Sequence, residues 1–476
     1  MTRYIVTCTP PTPNGDLHLG HLSGPFLAAE ICQRVLRQAG HDVLFVSYAD
    51  DYQSYVLRKA TELERDPVPF SELVRRTMML SLESVDIRFD HFLRAFDSPA
   101  FQRAARHYLD IVSPDIERRK TPVHICSTTG FYGYEAFGRG CCNWCGASSD
   151  ASQCEACARK PVPEKMSDMR SIFTGKPMEL AEVETYVWHL GRHYNKVAQA
   201  HAHQPIRSCL REFLADVLAD EADTWSITRP GDAGLQLDSL DEQPLHTWFM
   251  GLSGYRATVD AFLEENPERG TFKEWWAPDT RMVHFLGYDC SFSHAVAYCV
   301  QQVCDPSGPP VGLFLTNRFL KLDGDDFSTS RGNAIWIRDI AGLYPSDAIR
   351  LYAAWFAPET GVRNFEMSEF RKWVEGVYRP LAQSVRDVAR TGIPSKPRGS
   401  DTGDYWRNSS SIAAWDRHAD LDNFSIAGMA AAIIGLADEI AAAPRAERLA
   451  GWREFTRISA AICPNLAMTL NGEPSA

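Results

Sequence analysis

Apolar positions in the first fifty residues form two short unbroken runs with a helix-spaced stretch between them. "RYIVTCT" (3–9), rich in β-branched residues, predicts a buried strand. "PPTPNG" predicts a turn, and from about Leu17 to Ala39 apolar residues recur at helical spacing until Gly40 closes the helix. "DVLFVSYADD" (42–51) predicts a second buried strand ending in two acids. Strand, turn, helix and strand on this scale make a βαβ unit, hence an α/β fold with a parallel sheet and a site at the strands' carboxyl ends. The turn before His18 and His21 lies at one such end, and Asp50 and Asp51 lie at the next.

The pattern changes between about 116 and 235, where cysteine, glycine and polar residues dominate and the segment reads as an insertion. Apolar strand-like runs return at "MVHFLGYDCSFSHAVAYCV" (282–300) and "VGLFLTNRFLKL" (311–322). Beyond about 340 the chain reads as helical, in 344–359 and 366–389. A Pro/Gly/Ser-rich linker (391–404) then leads to the last helices.

Composition narrows the picture. The net charge of −12 leaves no broad basic field and argues against an extended nucleic-acid surface. "MTRYIVTCTPP" has no long apolar core of a signal peptide. The most apolar stretch (428–443) is interrupted by Asp438 and Glu439, so a cytoplasmic location away from membranes is expected. Five of the thirteen cysteines lie between 141 and 157, which in a reducing compartment suggests metal rather than disulfides. Cys142-x2-Cys145 and Cys154-x2-Cys157 have the spacing of a tetrahedral zinc knuckle, with Cys141 as the spare. Four thiolates leave no open coordination position, so one structural Zn2+ is predicted.

The helix after the first turn carries the chemistry. Free N–H groups at a helix start attract phosphate, and His18 and His21, three residues apart, share one face of that turn. Gly20 between them lets a base or ribose approach the backbone.

"PPTPNGDLHLGH" resembles the HIGH signature of class I aminoacyl-tRNA synthetases of the methionyl-tRNA synthetase type. The resemblance continues in order through "FVSYADDYQ", "TWFMGLSGY" (247–255), "HFLGYDCSFSH" (284–294), "FSTSRGNAI" (327–335) and "DAIRLYAA", over roughly 350 residues. It implies a Rossmann-type (HUP) catalytic domain in two parts, 1–115 and 236–340, a connective insert with a zinc knuckle at 116–235, and a shortened C-terminal helical bundle at 341–476. It implies that ATP, with Mg2+, and an amino acid react to an aminoacyl-adenylate. His18, His21, Ser328, Ser330 and Arg331 would be catalytic. Asn14, Gly20, Gly287, Asp289 and Lys321 would bind ATP, with Gly20 under the adenine and Asp289 on the ribose. Thr9, Pro10, Thr12, Asp51, Trp248, Tyr255 and His294 would bind the amino acid, Asp51 pairing with its ammonium and Asp50 standing behind it.

Three departures from the family pattern redirect the expectation. Asp326 and Thr329 replace both lysines of the KMSKS loop, leaving Arg331 and Lys321 as the nearest cations. Thr12 replaces a pocket tyrosine, and Thr247, Gly251, Leu252 and Ser293 differ around the kept aromatics; hydroxyls from Thr9, Thr12 and Ser293 favour a side chain smaller or more polar than methionine. The helices at 423–455 lack an aromatic-rich anticodon-reading segment. Trp452 reads as core, and Arg445, Arg448 and Arg453 read as a solvated face, which speaks against tRNA as a partner. The expected function is therefore a tRNA-independent, ATP-dependent ligase of specialised (natural-product) metabolism. It would pass a non-methionine aminoacyl group to a small amine or hydroxylamine. The competing readings are a methionyl-tRNA synthetase charging tRNA(Met) and a catalytically silent binding paralogue.

Overall fold

The structure is a computed structural model that describes residues 1–231, 234–237, 240–241, 243–327, 333–391 and 403–473. The chain divides into two compact units. The first comprises Met1–Asp16, His41–Met78 and Phe89–Thr316, and the second Leu17–Gly40, Met79–Arg88 and Asn317–Ala476.

In the first unit five strands form one sheet: β1 (Arg3–Cys8), β2 (Asp42–Ala49), β3 (His91–Arg94), β4 (Arg281–Gly287) and β5 (Leu313–Asn317), in the order β5-β4-β1-β2-β3. β1 pairs in parallel with β2 and with β4, Ile5 lying opposite both Leu44 and Met282, and β2 pairs in parallel with β3. A strand covered on both faces has no polar side to show, which is why β1 and β2 read as continuous apolar runs. Because the chain leaves β1 toward β2 but later adds β4 on the other side, the carboxyl ends of β1 and β4 flank a topological switch point.

The insert begins with a ten-residue antiparallel ladder, Ile116–Ile125 against Glu179–Trp188, with Ile116 opposite Trp188 and Ile125 opposite Glu179. It ends in a small sheet of Gly138–Cys141, Ser148–Ser149 and Ser167–Ser171.

Two elements differ from the sequence expectation. The helix over 17–39 starts at Leu19 and widens into a π-type turn at Leu22–Phe26 before regular helix resumes over Leu27–Gln38. Pro25 has no N–H to donate, and Gly24 (ψ −120°) takes up the break. The run 282–300 is strand only to Gly287. Tyr288–Cys290, Phe292–Tyr298 and Cys299–Cys304 are helical. Every residue of Phe292–Tyr298 is buried, so the helix shows no amphipathic period by which to tell it from a strand.

The second unit is mostly helical, including Ser346–Trp355, Ile426–Ala442, Arg445–Ser459 and Pro464–Asn471. Its centre is Arg350, fully buried. Arg350 Nη2 meets Glu30 Oε2 at 2.5 Å, and the guanidinium also donates to the carbonyls of Val85 (2.9 Å), Ala461 (2.9 Å) and Ile462 (2.8 Å). Trp452 is core, edge-on to Phe455. Arg448 is engaged, donating to the carbonyls of Ala441 and Ala443 at the end of the preceding helix. Among the described residues, no helix is long and apolar enough to cross a membrane.

Removing one partner of a buried, fully bonded charge pair leaves the other uncompensated. Arg350→Ala is expected to destabilise the second unit by about 3–5 kcal/mol, seen as a lower urea midpoint. The double change Arg350→Met, Glu30→Leu should recover most of that loss. An unchanged midpoint in Arg350→Ala would show that the pair is not structural.

Candidate active site

The histidine turn belongs to the second unit. His18 is the extended residue ahead of the helix, and its backbone N–H donates to His21 Nδ1 (3.2 Å). The two imidazoles stack at 3.8 Å between ring centroids, and Phe327 stacks on His18 at 4.9 Å. Backbone bonds Leu19 N–Ile335 O (3.0 Å) and Ile337 N–Leu17 O (3.1 Å) sew the turn to the segment after the lysine-free loop. A Cβ on Gly20 would stand 3.0 Å from the His18 ring, so the glycine permits this packing as well as any ligand approach. Burial, reinforced by His21, lowers the His18 pKa to about 2, so the ring is neutral and can offer N–H but no charge. Among the described residues its Nδ1 is buried with no protein partner. Lys321 sits in the short strand Leu320–Leu322, opposite Asp326, with Nζ 3.8 Å from that acid. Ser328, Ser330 and Arg331 lie outside the described residues.

The other predicted residues belong to the first unit. Thr9 and Pro10 follow β1, Gly287 ends β4 and Asp289 lies just beyond it, at the switch point; Thr9 N donates to Phe285 O (2.8 Å). Asn14 N bonds to Thr12 O in the intervening turn, and Pro11 O accepts from Asp50 N (3.0 Å), tying that turn to the end of β2. Asp289 is raised to about 6, by burial first and then by Glu155, and its Oδ1 fills the space beside Gly287, where a Cβ would come within 2.5 Å.

The two acids divide opposite to the expectation. Asp51 was to face the ammonium, but Ser71 Oγ occupies its Oδ1, and its Oδ2 accepts from Ala95 N (2.6 Å) and Phe96 N (3.3 Å). It is a buried clasp between loops. Asp50 faces the helix Thr247–Gly251, accepting from Gln53 Nε2 (2.5 Å) and Thr247 Oγ1 (3.4 Å), and a Cβ on Gly251 would lie 3.5 Å from it. Burial, opposed by the Gln53 bond and reinforced by Asp51, raises Asp50 to about 7.

Around it the aromatic set is assembled. Tyr255 is buried edge-on to His294 (5.8 Å) and His284 (4.9 Å), and Tyr48 OH donates to Gly251 O (2.5 Å). Among the described residues, Trp248 Nε1 and His294 Nε2 are buried without protein partners. His294 Nδ1 lies 3.2 Å from Cys290 O, and burial lowers its pKa to about 4.

The four knuckle thiols converge, all Sγ atoms lying within 4.8 Å of one another, with Cys142–Cys157 at 3.9 Å and Cys145–Cys154 at 3.6 Å. Zn–S bonds of about 2.3 Å in a tetrahedron put sulfurs about 3.8 Å apart, so the set fits zinc. The sequence reading missed a second, matching pair of turns. In the turns starting at Cys126, Cys142, Cys154 and Ser171, the first N–H meets the carbonyl five residues on, at 2.9–3.0 Å. The fifth residue's N–H returns to the first carbonyl at 2.8–2.9 Å. Gly130, Gly146, Ala158 and Gly175 hold the same left-handed position (φ +61° to +73°). The extra pair places Cys126 and Thr129 opposite Ser171 and Thr174, with Cys126 Sγ 3.8 Å from Thr174 Oγ1. One thiol and three hydroxyls are not a zinc donor set. The signal was present as C-x2-T and S-x2-T, each followed by glycine.

A parallel sheet with its switch point beside β1, an acid-bearing loop after β2 and a four-thiol knuckle in the insert define a Rossmann-type nucleotide-binding protein. Residues 4–385 match the model of the class I tRNA synthetases (M), and the chain belongs to that family. It is 27% identical over 392 residues to the methionine–tRNA ligase of Pyrococcus furiosus, covering 78% of this chain and 54% of that protein. It is 26% identical over 377 residues to that of Thermoplasma acidophilum, covering 77% and 68%. The chain thus spans about half the length of the Pyrococcus relative. Its fold is that of the Mycobacterium tuberculosis methionyl-tRNA synthetase in complex with methionyl-adenylate, with a TM-score of 0.75 at 17% identity over 100% of this chain and 94% of that one.

These relatives, named for joining methionine to tRNA, overturn the expected tRNA-independent, non-methionine ligase of natural-product metabolism and the argument against tRNA. The physical error lay in the hydroxyls. Of Thr9, Thr12 and Ser293, Thr9 Oγ1 donates to Phe285 O (3.3 Å) and Ser293 Oγ to Cys290 O (3.2 Å), so neither of these two demands a polar substrate.

Metal analysis of the purified protein should give about one zinc per chain, not two, and Cys142→Ser with Cys145→Ser should abolish it. Zinc retained by that double variant would place the metal elsewhere.

Proposed function

We propose that this chain activates methionine with ATP as methionyl-adenylate and transfers the methionyl group to tRNA. The observation that carries this reading is the family match over residues 4–385, with methionine–tRNA ligases as its relatives over more than three quarters of the chain. The methionine carboxylate attacks the α-phosphorus and pyrophosphate leaves; a ribose hydroxyl of the tRNA end then attacks the acyl carbon and AMP leaves.

In this reading the neutral ring of His18 and the ring of His21 donate N–H bonds to phosphate oxygens as charge builds there. Mg2+ bound with the nucleotide would screen the charge of its phosphates. Asp289 accepts from the ribose hydroxyls. Asp50, rather than Asp51, pairs with the substrate ammonium, its ionised form being the one that binds. Trp248, Tyr255 and His294 enclose the side chain, and a thioether suits such polarisable, largely apolar walls.

ATP–pyrophosphate exchange over all twenty amino acids, followed by charging of tRNA(Met), tests this. Methionine alone should support exchange. Exchange with a different amino acid, or none with any, would sink the reading.

Asp50 gives a pH dependence. Its pKa is about 7, so below that pH it is protonated and cannot pair with the ammonium. KM for methionine should therefore fall as pH rises from 6 to 8 and level off above. Asp50→Asn should raise KM and flatten the profile; a profile unchanged in that variant would remove Asp50 from the site.

A further inference from the structure

Glu135 stands in the insert, in a short turn (Glu135–Phe137) just ahead of the knuckle strand Gly138–Cys141. It is 4% exposed and plays no part in the chemistry above. Its φ of +30° is a left-handed value that a residue with a side chain rarely keeps unless its surroundings enforce it. Those surroundings are four side chains. Glu135 Oε2 accepts from Ser54 Oγ (2.9 Å), and Oε1 accepts from Ser152 Oγ (3.0 Å), from Arg229 Nη1 and from His246 Nε2. The hydroxyls answer the backbone around it: Ser152 Oγ accepts from Glu135 N (3.3 Å) and Ser54 Oγ from Ala136 N (3.2 Å).

Three of these partners adjoin residues of the substrate site, two on its amino-acid side and one on its ATP side. Ser54 follows Gln53, whose amide donates to Asp50. Ser152 precedes Gln153, whose amide donates to the Asp289 carbonyl. His246 Nδ1 accepts from Trp248 N (3.1 Å) and so caps the helix Thr247–Gly251, whose first hydroxyl reaches Asp50. The cap fixes the tautomer. A ring nitrogen that accepts carries no proton, so the proton is on Nε2 and is donated to Glu135. Burial, and then Arg229, lowers the His246 pKa to about 4 and keeps the ring in that neutral form.

We propose that Glu135 is a positioning residue that sets the Asp50 loop, the Asp289 loop and the Trp248 helix together, so that the knuckle-bearing insert governs the geometry of the amino-acid site. The kinetic part of this rests on the reading above; the structural part does not. Only one of the four partners, Arg229, is a cation. A single carboxylate therefore serves three loops that share no sequence, and its loss is felt in all three.

The test uses the full chain with its zinc content checked. In Glu135→Gln, backbone amide exchange should rise about tenfold or more in 50–54, 150–154 and 246–251 together, the size expected when bonds to a buried charge are lost. KM for methionine should rise by about tenfold, and KM for ATP should rise with it, because the Asp289 loop holds the ribose in this reading. His246→Asn separates capping from the link to Glu135, because Asn caps a helix but is too short to reach that carboxylate. It should protect 247–251 better than His246→Ala does, yet leave KM for methionine raised. If His246→Asn restores KM, His246 is only a cap and the proposal is wrong. If exchange in Glu135→Gln stays unchanged, or rises in one segment alone, the proposal also fails, whatever the activity. If the wild type shows no methionine-dependent pyrophosphate exchange, the functional reading fails, and the three-segment pattern alone decides the case for Glu135.

Discussion

The central position of β1 is the constraint on which the first unit depends. Paired in parallel on both sides, with Ile5 opposite Leu44 and Met282, it forces the chain out of β1 and out of β4 at the same edge of the sheet. Thr9 N on the Phe285 carbonyl and Asp50 N on the Pro11 carbonyl then hold the three exits together with backbone bonds alone. Side chains after β1, β2 and β4 are brought close by topology before any of them interacts. That is why the fold can persist at 17% identity to the Mycobacterium tuberculosis structure.

Each unit buries charge, and each resolves it differently. In the second unit Arg350 is satisfied by one carboxylate and three carbonyls, which fixes helices and has no opening for a ligand. In the first, Glu135 is held low in pKa although burial raises it, because Arg229 and then His246 outweigh the burial. Asp50 lacks any such cation and is left near neutrality by the same burial. Two buried carboxylates in one unit thus end in opposite protonation regimes. The one without a counter-charge is the one suited to receive a cationic substrate.

Much of this was legible in the sequence. The apolar runs of β1 and β2, Gly40 as helix end (φ +81°), and the Cys142–Cys157 spacing all read directly, because each depends on local rules. What failed depended on partners distant in sequence. The helix after Gly287 is buried all round and so looks like a strand. Asp51 and Asp50 cannot be told apart without knowing that Ser71, Ala95 and Phe96 claim the former. Hydroxyls at Thr9 and Ser293 suggest a polar pocket until their carbonyl acceptors are seen. Glu135 and His246 carry no motif; only folding reveals that they meet across 111 positions of sequence.

The doubled knuckle shows how backbone and side chain divide the work. The four turns share one hydrogen-bond pattern and one left-handed position, so the turn geometry does not need the metal. What differs is the support behind them. The turns at Cys126 and Ser171 are anchored by the ten-residue ladder ending at Ile125–Glu179 and by Gly138 opposite Ser171. The turn at Cys142 follows the strand Gly138–Cys141, which pairs with Ser148–Ser149 and with Ser167–Ser171, whereas among the described residues no strand adjoins the turn at Cys154. Hydroxyl contacts suffice where strand pairing fixes both turns, and four thiols stand where it fixes one. A metal held by those four thiols would close the segment next to Ser152 and Gln153, which bond to the carboxylate of Glu135 and to the Asp289 carbonyl.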